Sequence, residues 1–585
     1  MYLRMTSLFA LLSCSEIPFL NVNNIEYETA LEKANILNKT FAEKSTINDY
    51  DKLPPLLSLK GDSFLNRIKI RLRTVRKKLQ QQKTTKATGP DGIPARVLRE
   101  CADVLSKPYC KLFNFSLKSS NIPNDWKCAN VVPIYKSGER SDPNNYRPIS
   151  LLSITSKIME SIINDSVKKH LYGSHLITKH QYGFRSNYST FDLLTSATQQ
   201  WENALDKGQE VKVAALDISR AFDRVWHKGL LSKLMALGIG GSVYRWIRSF
   251  LHNRSIKVII NGQQSTVSYI NAGVPQGSII GPTLFLVFIN DLIDSVKNQV
   301  HLFADDTTLS AIIPNNLDSK SQVIDSFQSD LRAIEEWAEK WLVNFNARKT
   351  QLMTISRKKI KSINKNITFV NENLIEVENI KLLGINITSS LDWSYHINHL
   401  AKRAGQRLGI LRKARLILPP TALSTLYKTK VRSIMEYCGP IWQNAPKSAL
   451  NKLDMIQRKV CHLIGKKQNV IPEYNINSLE QRRNVSGMCQ IHRMVTGVAP
   501  PTVIELLPSF KQPNRISRYV NENHHFQFEI KKSKSNHHMQ SFLPNMTRLW
   551  NALPNDCLYA KNGDINSLQQ FKIHINKHFL NLNKD

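Results

Sequence analysis

Apolar positions along the chain fall alternately into short runs and long stripes, and the two periods predict different elements. Ile25, Leu31, Ala34, Leu37 and Phe41 lie at roughly helical spacing and predict a helix that ends before Pro54-Pro55. Val97, Leu98, Cys101, Val104 and Leu105 predict a second helix, and Ile154, Ile158, Ile162 and Ile163 a third. Between these, residues 131–138 read as a strand ending in a turn. Val211, Val213 and Ala215 alternate as a strand does. Residues 255–262 and 263–270 carry a hairpin signal, with Asn261-Gly262 suited to a two-residue turn. An apolar helix is predicted over 283–293, and Val323, Phe327, Leu331, Ile334, Ala338 and Trp341 trace a long amphipathic one. A strand-like series ends at 380–385, and from Lys402 to Lys467 the chain turns helical and basic. No stretch approaches the ~20 apolar residues of a membrane-spanning helix.

Acidic residues placed at the ends of these strands carry the candidate chemistry. Val300, Leu302, Phe303 and Ala304 precede Asp305-Asp306, and Leu309, Ala311, Ile312 and Ile313 follow, so two strands flank a tight acidic turn. Adjacent carboxylates repel each other, and a divalent cation relieves that repulsion. Asp is also an ordinary hairpin-turn residue, and the pair alone does not separate the two readings. Asp217 sits at the end of the strand that begins at Val211, where an N-cap is the ordinary role; Asp223 fits another cap or an ion pair with Arg220 or Arg224. Residues 273–282 form a glycine-rich loop opening the apolar helix, either to admit a ligand against the backbone or as a plain junction. Lys136 and Arg147 flank a polar loop, as surface charges do and as triphosphate binding requires.

Composition narrows the partners. The 585 residues suffice for two to four structural units, and a formal net charge of +34 calls for a polyanion bound with counterion release. Part of the excess is local: the segment 67–86 holds nine basic residues and no acid, either a solvated face or a phosphate-contacting arm. No two of the eight cysteines are separated by only two to four residues, which excludes zinc-finger spacing and leaves reduced thiols as the expectation. The apolar start, residues 1–14, is too short and lacks a small-x-small cleavage site, so an intracellular, unsecreted protein without a membrane partner is expected.

Eight blocks in order resemble the reverse transcriptases of jockey-like non-LTR retrotransposons. They are Ala87-Thr-Gly-Pro-Asp-Gly-Ile-Pro94, Val132-Pro-Ile-Tyr-Lys-Ser-Gly138, Asn145-Tyr-Arg-Pro-Ile-Ser-Leu-Leu152, Gln181-Tyr-Gly-Phe-Arg185, Leu216-Asp-Ile-Ser-Arg-Ala-Phe-Asp223, Gly273-Val-Pro-Gln-Gly-Ser278, Phe303-Ala-Asp-Asp306 and Leu382-Leu-Gly384. The resemblance implies an α+β right-hand polymerase fold of fingers, palm and thumb, with an antiparallel palm sheet packed on helices and a helical C-terminal region. On that basis 1–86 is a helical, basic lead-in, 87–387 fingers and palm, 388–500 a basic thumb-like region and 501–585 an appended region.

The same resemblance assigns roles. Asp217 and Asp305, with Asp306 beside them, would bind two Mg²⁺ ions, Mn²⁺ being a possible substitute, and Lys349 would protonate the leaving pyrophosphate. Phe222 would exclude a 2′-hydroxyl, Gln276 and Gly277 would lie beside the incoming nucleotide, and Lys136 and Arg147 would hold its triphosphate. Leu383-Gly384 would be the primer grip. The implied partners are an RNA template, a DNA primer or RNA–DNA hybrid, and dNTPs, in a ribonucleoprotein of the nucleus or cytoplasm. Fewer residues precede Ala87 than the endonuclease domain of such elements needs, so a chain lacking that domain is expected. The rival expectation is a catalytically silent or domesticated nucleic-acid-binding descendant.

Overall fold

The computed structural model describes residues 17–358, 366–465, 474, 476–511, 524, 526–560 and 563–581; the apolar start at 1–14, and Lys466 and Lys467 of the basic region, lie outside the described residues. The chain forms two compact units, each assembled from separated stretches. The first comprises Met1–Thr178, Ile218–Asp294 and Glu336–Asn344, and the second Lys179–Asp217, Ser295–Glu335 and Phe345–Asp585.

The second unit is built on a four-stranded sheet of β1 (Glu210–Leu216), β2 (Gln299–Phe303), β3 (Asp306–Ile313) and β4 (Gln351–Ile355). Their order is β4-β1-β3-β2, with every neighbouring pair antiparallel. Strand β1 is central and almost wholly buried, which is why its residues are mostly Val, Ala and Leu. Of its two charged residues, Glu210 lies 4.0 Å from Lys358 Nζ, and Lys212 is neutralised where it lies, by Glu376 and by a 3.0 Å hydrogen bond to Thr354 Oγ1. Val211 and Val213 share one hydrophobic core with Met353 and Ile355, with Leu193, Leu194, Ala197 and Trp201 of helix Thr190–Asp206, and with Phe571, Ile575 and Phe579 near the C-terminus.

Helix Ser394–Ala414 turns Ile397, Leu400, Ala404, Leu408 and Leu411 into the same core and packs on helix Lys447–Leu463. Its opposite face exposes Lys402, Arg403, Arg407, Arg412 and Lys413 to water. The first part of the basic stretch is thus an amphipathic helix with its charge outward.

In the first unit, strands Cys128–Tyr135 and Tyr146–Leu151 pair antiparallel, and Cys128–Val131 run parallel to Ser255–Val258 of strand Arg254–Ile260. The predicted hairpin is present: Ile260 faces Gln263 across Asn261 (φ +48°) and Gly262 (φ +82°), both left-handed as a type I′ turn requires. The sheet buries Ala129, Val131, Ile256, Val258 and Ile260 against Ala34, Leu37 and Phe41 of helix Ala30–Lys44. That helix starts later than its apolar spacing suggests. Asn23 and Asn24, at φ +53° and +65°, turn a short hairpin that places Ile25 in a strand, exposed; the helix begins where Thr29 and Glu32 form a capping box.

The C-terminal helices are tied to the second unit's core by a buried charge as well as by apolar contact. Asp192, in the first turn of helix Thr190–Asp206, has no solvent exposure and accepts from Arg493 at 3.1 Å and from Gln490 at 2.7 Å. Arg493→Ala, which leaves that carboxylate short of its only charged partner among these contacts, is expected to lower stability by ~3 kcal/mol in urea melts, whereas Lys413→Ala on the exposed face is expected to change it by less than about 0.5 kcal/mol.

Candidate active site

The pairing of β1 with β3 decides where the acidic residues fall. Leu216 lies opposite Thr307, so Asp217 leaves β1 at the end of the sheet where Asp306 enters β3. Asp306 in turn pairs with Phe303 of β2, leaving Ala304 and Asp305 as a two-residue turn. Ala304 takes φ +57° and Asp305 does not share that sign, the pattern of a type II′ turn, which ordinarily places glycine at the first position. The sheet therefore delivers Asp217, Asp305 and Asp306 to one end.

Their charges are felt there. Asp306 has an exposed edge, yet partial withdrawal from water, then the negative charges of Asp305 and Asp217, push its carboxyl up to about 6. Among the described residues no three His, Cys, Asp or Glu side chains close into a ready-made metal cage. Three carboxylates at one sheet end, two of them repelling the third, still fit a hard divalent cation, which takes oxygen donors and completes its shell with waters and phosphate oxygens.

Asp217 is not a helix cap. Its N–H donates to Thr350 Oγ1 at 3.4 Å and its carbonyl accepts from Asn346 N–H at 2.9 Å. Thr350 donates onward to the Asn346 carbonyl at 2.9 Å, and the Lys349 N–H donates to Asn346 Oδ1 at 3.2 Å. The Asn346-x-x-Lys-Thr spacing thus folds a loop onto the backbone of Asp217 and leaves Lys349 exposed on it. Leu383-Gly384 also forms a turn of the second unit, with φ +46° and +88°, between strands Asn379–Leu382 and Ile385–Thr388. The hydroxyl of Tyr437 donates to the Leu383 carbonyl at 2.8 Å.

The first unit gathers a different set. Phe222 stacks on Phe285 at 4.3 Å, within helix Gly281–Ile289. The glycine-rich loop wraps the segment that carries Phe222: Val274 N–H donates to the Phe222 carbonyl at 2.8 Å and Gly273 N–H to Val225 at 2.9 Å. Gly277, at φ +136°, lies so close to strand Tyr146–Leu151 that a Cβ would meet the Ser150 carbonyl at 2.3 Å; no other residue fits there. Gln276 donates from Nε2 to Asp223 Oδ1 at 2.7 Å, so Asp223 is neither a cap nor primarily an ion-pair partner. Burial raises the Asp223 carboxyl, while Gln276, Lys44 and Arg220 act in the opposite sense. Lys136 and Arg147 stand exposed beside each other's strands, Arg147 opposite Ile134 and Lys136 bonded through its N–H to the Asn145 carbonyl at 2.8 Å.

Two supporting residues were given no role by the sequence. Glu160, fully buried, accepts from Ser278 Oγ at 2.6 Å and from Ile279 N–H at 2.8 Å, and so anchors the end of the glycine-rich loop. Its only sequence signal is a lone acid among Ile158, Met159, Ile162 and Ile163. Gln181 touches the acidic turn, and its sequence signal is membership of the Gln181–Arg185 block.

Comparison with known proteins places this geometry. The reverse transcriptase (RNA-dependent DNA polymerase) family matches residues 134–387, which contain all three acidic residues, the glycine-rich loop and the Leu383-Gly384 turn. An RNA-directed DNA polymerase from mobile element jockey of Drosophila melanogaster is 29% identical over 461 residues, covering 75% of this chain and 49% of that protein. Its counterpart from Drosophila funebris is 31% identical over 406 residues, 68% of this chain and 44% of that protein. A probable RNA-directed DNA polymerase from transposon BS of Drosophila melanogaster is 29% identical over 365 residues, 60% of this chain and 40% of that protein. The chain spans less than half the length of each of these relatives. Residues 134–387 are thus a reverse transcriptase domain with a right-hand polymerase fold, and mobile-element polymerases are its relatives.

Proposed function

We propose that the chain is an RNA-directed DNA polymerase that extends a primer 3′-hydroxyl with deoxynucleotides along an RNA template. The observation that carries the reading is the delivery of Asp217, Asp305 and Asp306 to one end of an antiparallel sheet inside the family-matched segment. Asp217 and Asp305, with Asp306 alongside, are the residues that would hold a pair of Mg²⁺ ions, or Mn²⁺ in their place. Such ions supply Lewis acidity, lowering the pKa of the 3′-hydroxyl and offsetting the charge of the departing pyrophosphate.

The remaining roles belong to the chain's own side chains. Phe222, fixed by its stack on Phe285, packs against the sugar and leaves no room for a 2′-hydroxyl. Gln276 and Gly277 line the nucleotide, their backbone held against Ser150. Lys136 and Arg147 offer exposed cations to the triphosphate, Arg147 with the forked geometry suited to phosphate oxygens. Lys349 donates the proton that the leaving pyrophosphate takes up. Leu383-Gly384 grips the primer, and the basic face of helix Ser394–Ala414 contacts the duplex backbone. Residues 87–387 then act as fingers and palm and 388–500 as a thumb.

Three outcomes check this reading. With Mg²⁺, poly(rA)/oligo(dT) and dTTP, the purified chain incorporates nucleotide, and Asp305→Ala removes roughly 1000-fold of the rate, on the order of 4 kcal/mol of barrier. Salt-dependent RNA binding with no Asp305-dependent product identifies a silent binder instead. Phe222→Ala lowers discrimination of dTTP against UTP by about tenfold or more, measured as the ratio of kcat/KM values. An unchanged ratio removes Phe222 from the sugar site.

The third outcome is a pH dependence. Above about 6 Asp306 is ionised in both folded and unfolded chain, and the folded state bears the full cost of its partial burial and of its repulsion by Asp305 and Asp217; as pH falls through about 6 the folded carboxyl takes up a proton and the penalty fades. Metal-free Asp306→Asn is therefore expected to melt a few degrees above wild type at pH 7.5, with the gain shrinking toward pH 4. A gain independent of pH argues against the ionised carboxylate as its cause.

A further inference from the structure

The acidic turn is not held by its own sequence. Ala304 adopts a left-handed φ of +57° that costs an alanine what it would not cost a glycine, and it is 4% exposed, so the surroundings must impose the shape. What surrounds it is the Gln181–Arg185 block. Leu302 of β2 donates to the His180 carbonyl at 3.0 Å and accepts from the Tyr182 N–H at 2.8 Å, so the block runs beside β2 as an extra parallel rung. The side chain of Gln181 then reaches past that rung. Its Oε1 accepts the N–H of Ala304 at 2.9 Å and the N–H of Gly183 at 2.8 Å, and the residue is 1% exposed.

Gly183 makes the fit tight from the other side. A Cβ there would stand 2.4 Å from the Ala304 nitrogen, so only glycine lets the two backbones approach this closely. The block is itself braced: Arg185 donates to the Gln181 carbonyl at 3.1 Å and stacks on Tyr188 at 4.0 Å, and the Tyr182 hydroxyl shares a 2.6 Å hydrogen bond with Thr502, both residues buried. The support of the turn therefore extends to the C-terminal helices of the same unit.

We propose that Gln181 is a positioning residue for catalysis: by clamping the Ala304 N–H it holds the Ala304-Asp305 turn in its strained conformation and so sets where Asp305 and Asp306 stand. This inference rests on the polymerase reading above. It assigns the Gln181–Arg185 block a task in forming the metal-binding end of the sheet, with Gly183 as the residue that permits the approach. An alternative, purely structural role predicts loss of stability without any change in the active state that remains.

The test compares the full chain with Gln181→Met, which keeps length and shape but lacks an acceptor, with Gln181→Glu, which keeps an acceptor oxygen, and with Gly183→Ala. Primer extension on poly(rA)/oligo(dT) is measured at a temperature where all variants remain folded by circular dichroism. Gln181→Met and Gly183→Ala are expected to lose roughly 10- to 100-fold in kcat, the scale of an ångström-sized misplacement, with KM for dTTP within twofold and a raised Mg²⁺ concentration for half-maximal rate. Gln181→Glu is expected to regain most of the rate at saturating Mg²⁺. Amide exchange at Ala304, followed in the metal-free protein, is expected to accelerate in Gln181→Met. A wild type that polymerises beside a Gln181→Met of equal kcat and equal Mg²⁺ dependence overturns the positioning role alone. A wild type that fails to polymerise overturns the functional reading and the inference with it.

Discussion

The antiparallel pairing of Leu216 with Thr307 is the contact on which the rest of the site depends. It joins two strands nearly a hundred residues apart in sequence, and its register puts Asp217 at the same sheet end as Asp306. A slip of one residue would turn every β1 side chain to the opposite face, putting Lys212 among the apolar side chains that Val211 and Val213 now meet and carrying Asp217 away from the turn. The hydrophobic demand of the core thereby enforces an electrostatically unfavourable meeting of carboxylates. Burial of Val211, Val213, Leu309 and Ile313 offsets the repulsion that Asp306 registers.

The supports around that pairing divide the labour. Thr350 and Asn346 secure the backbone of Asp217, Gln181 and Gly183 secure the turn, and neither pair presents a charge to the site. In the first unit Glu160 and Gln276 do the equivalent for the glycine-rich loop, one tying its end to helix Ile154–Gly173, the other tying its middle to Asp223. Left-handed backbone recurs at these places, at Ala304, Leu383, Gly273 and Gly277. Strain of this kind persists only where surrounding contacts determine the conformation more strongly than the residue's own preference.

Local signals in the chain were legible and distant ones were not. Asn261-Gly262 announced its hairpin because the turn chemistry lies in two adjacent residues. The period of Leu31, Ala34, Leu37 and Phe41 announced a helix, but Ile25 was read into it because periodicity is blind to an Asn-Asn turn that interrupts the run. The three acidic site residues were legible as strand-end carboxylates, and the family blocks ordered them. Asp223 looked like a cap because its true partner, Gln276, is far along the chain. Gln181 stood in a quoted block, yet its contact with Ala304 is long-range and leaves no periodic trace. Lys212 in the middle of a buried strand reads as an error until Glu376 is brought to it.

The single core that joins β1 to the final helix has a temporal side. Val211 and Phe579 bury surface in the same cluster, but ~370 residues separate their emergence from the ribosome, which at ~5–20 residues per second amounts to roughly 20–75 seconds. Throughout that interval the core that contains the central strand is incomplete. The core of this unit is therefore completed only after helix Leu568–Asn581 has been made, long after its central strand.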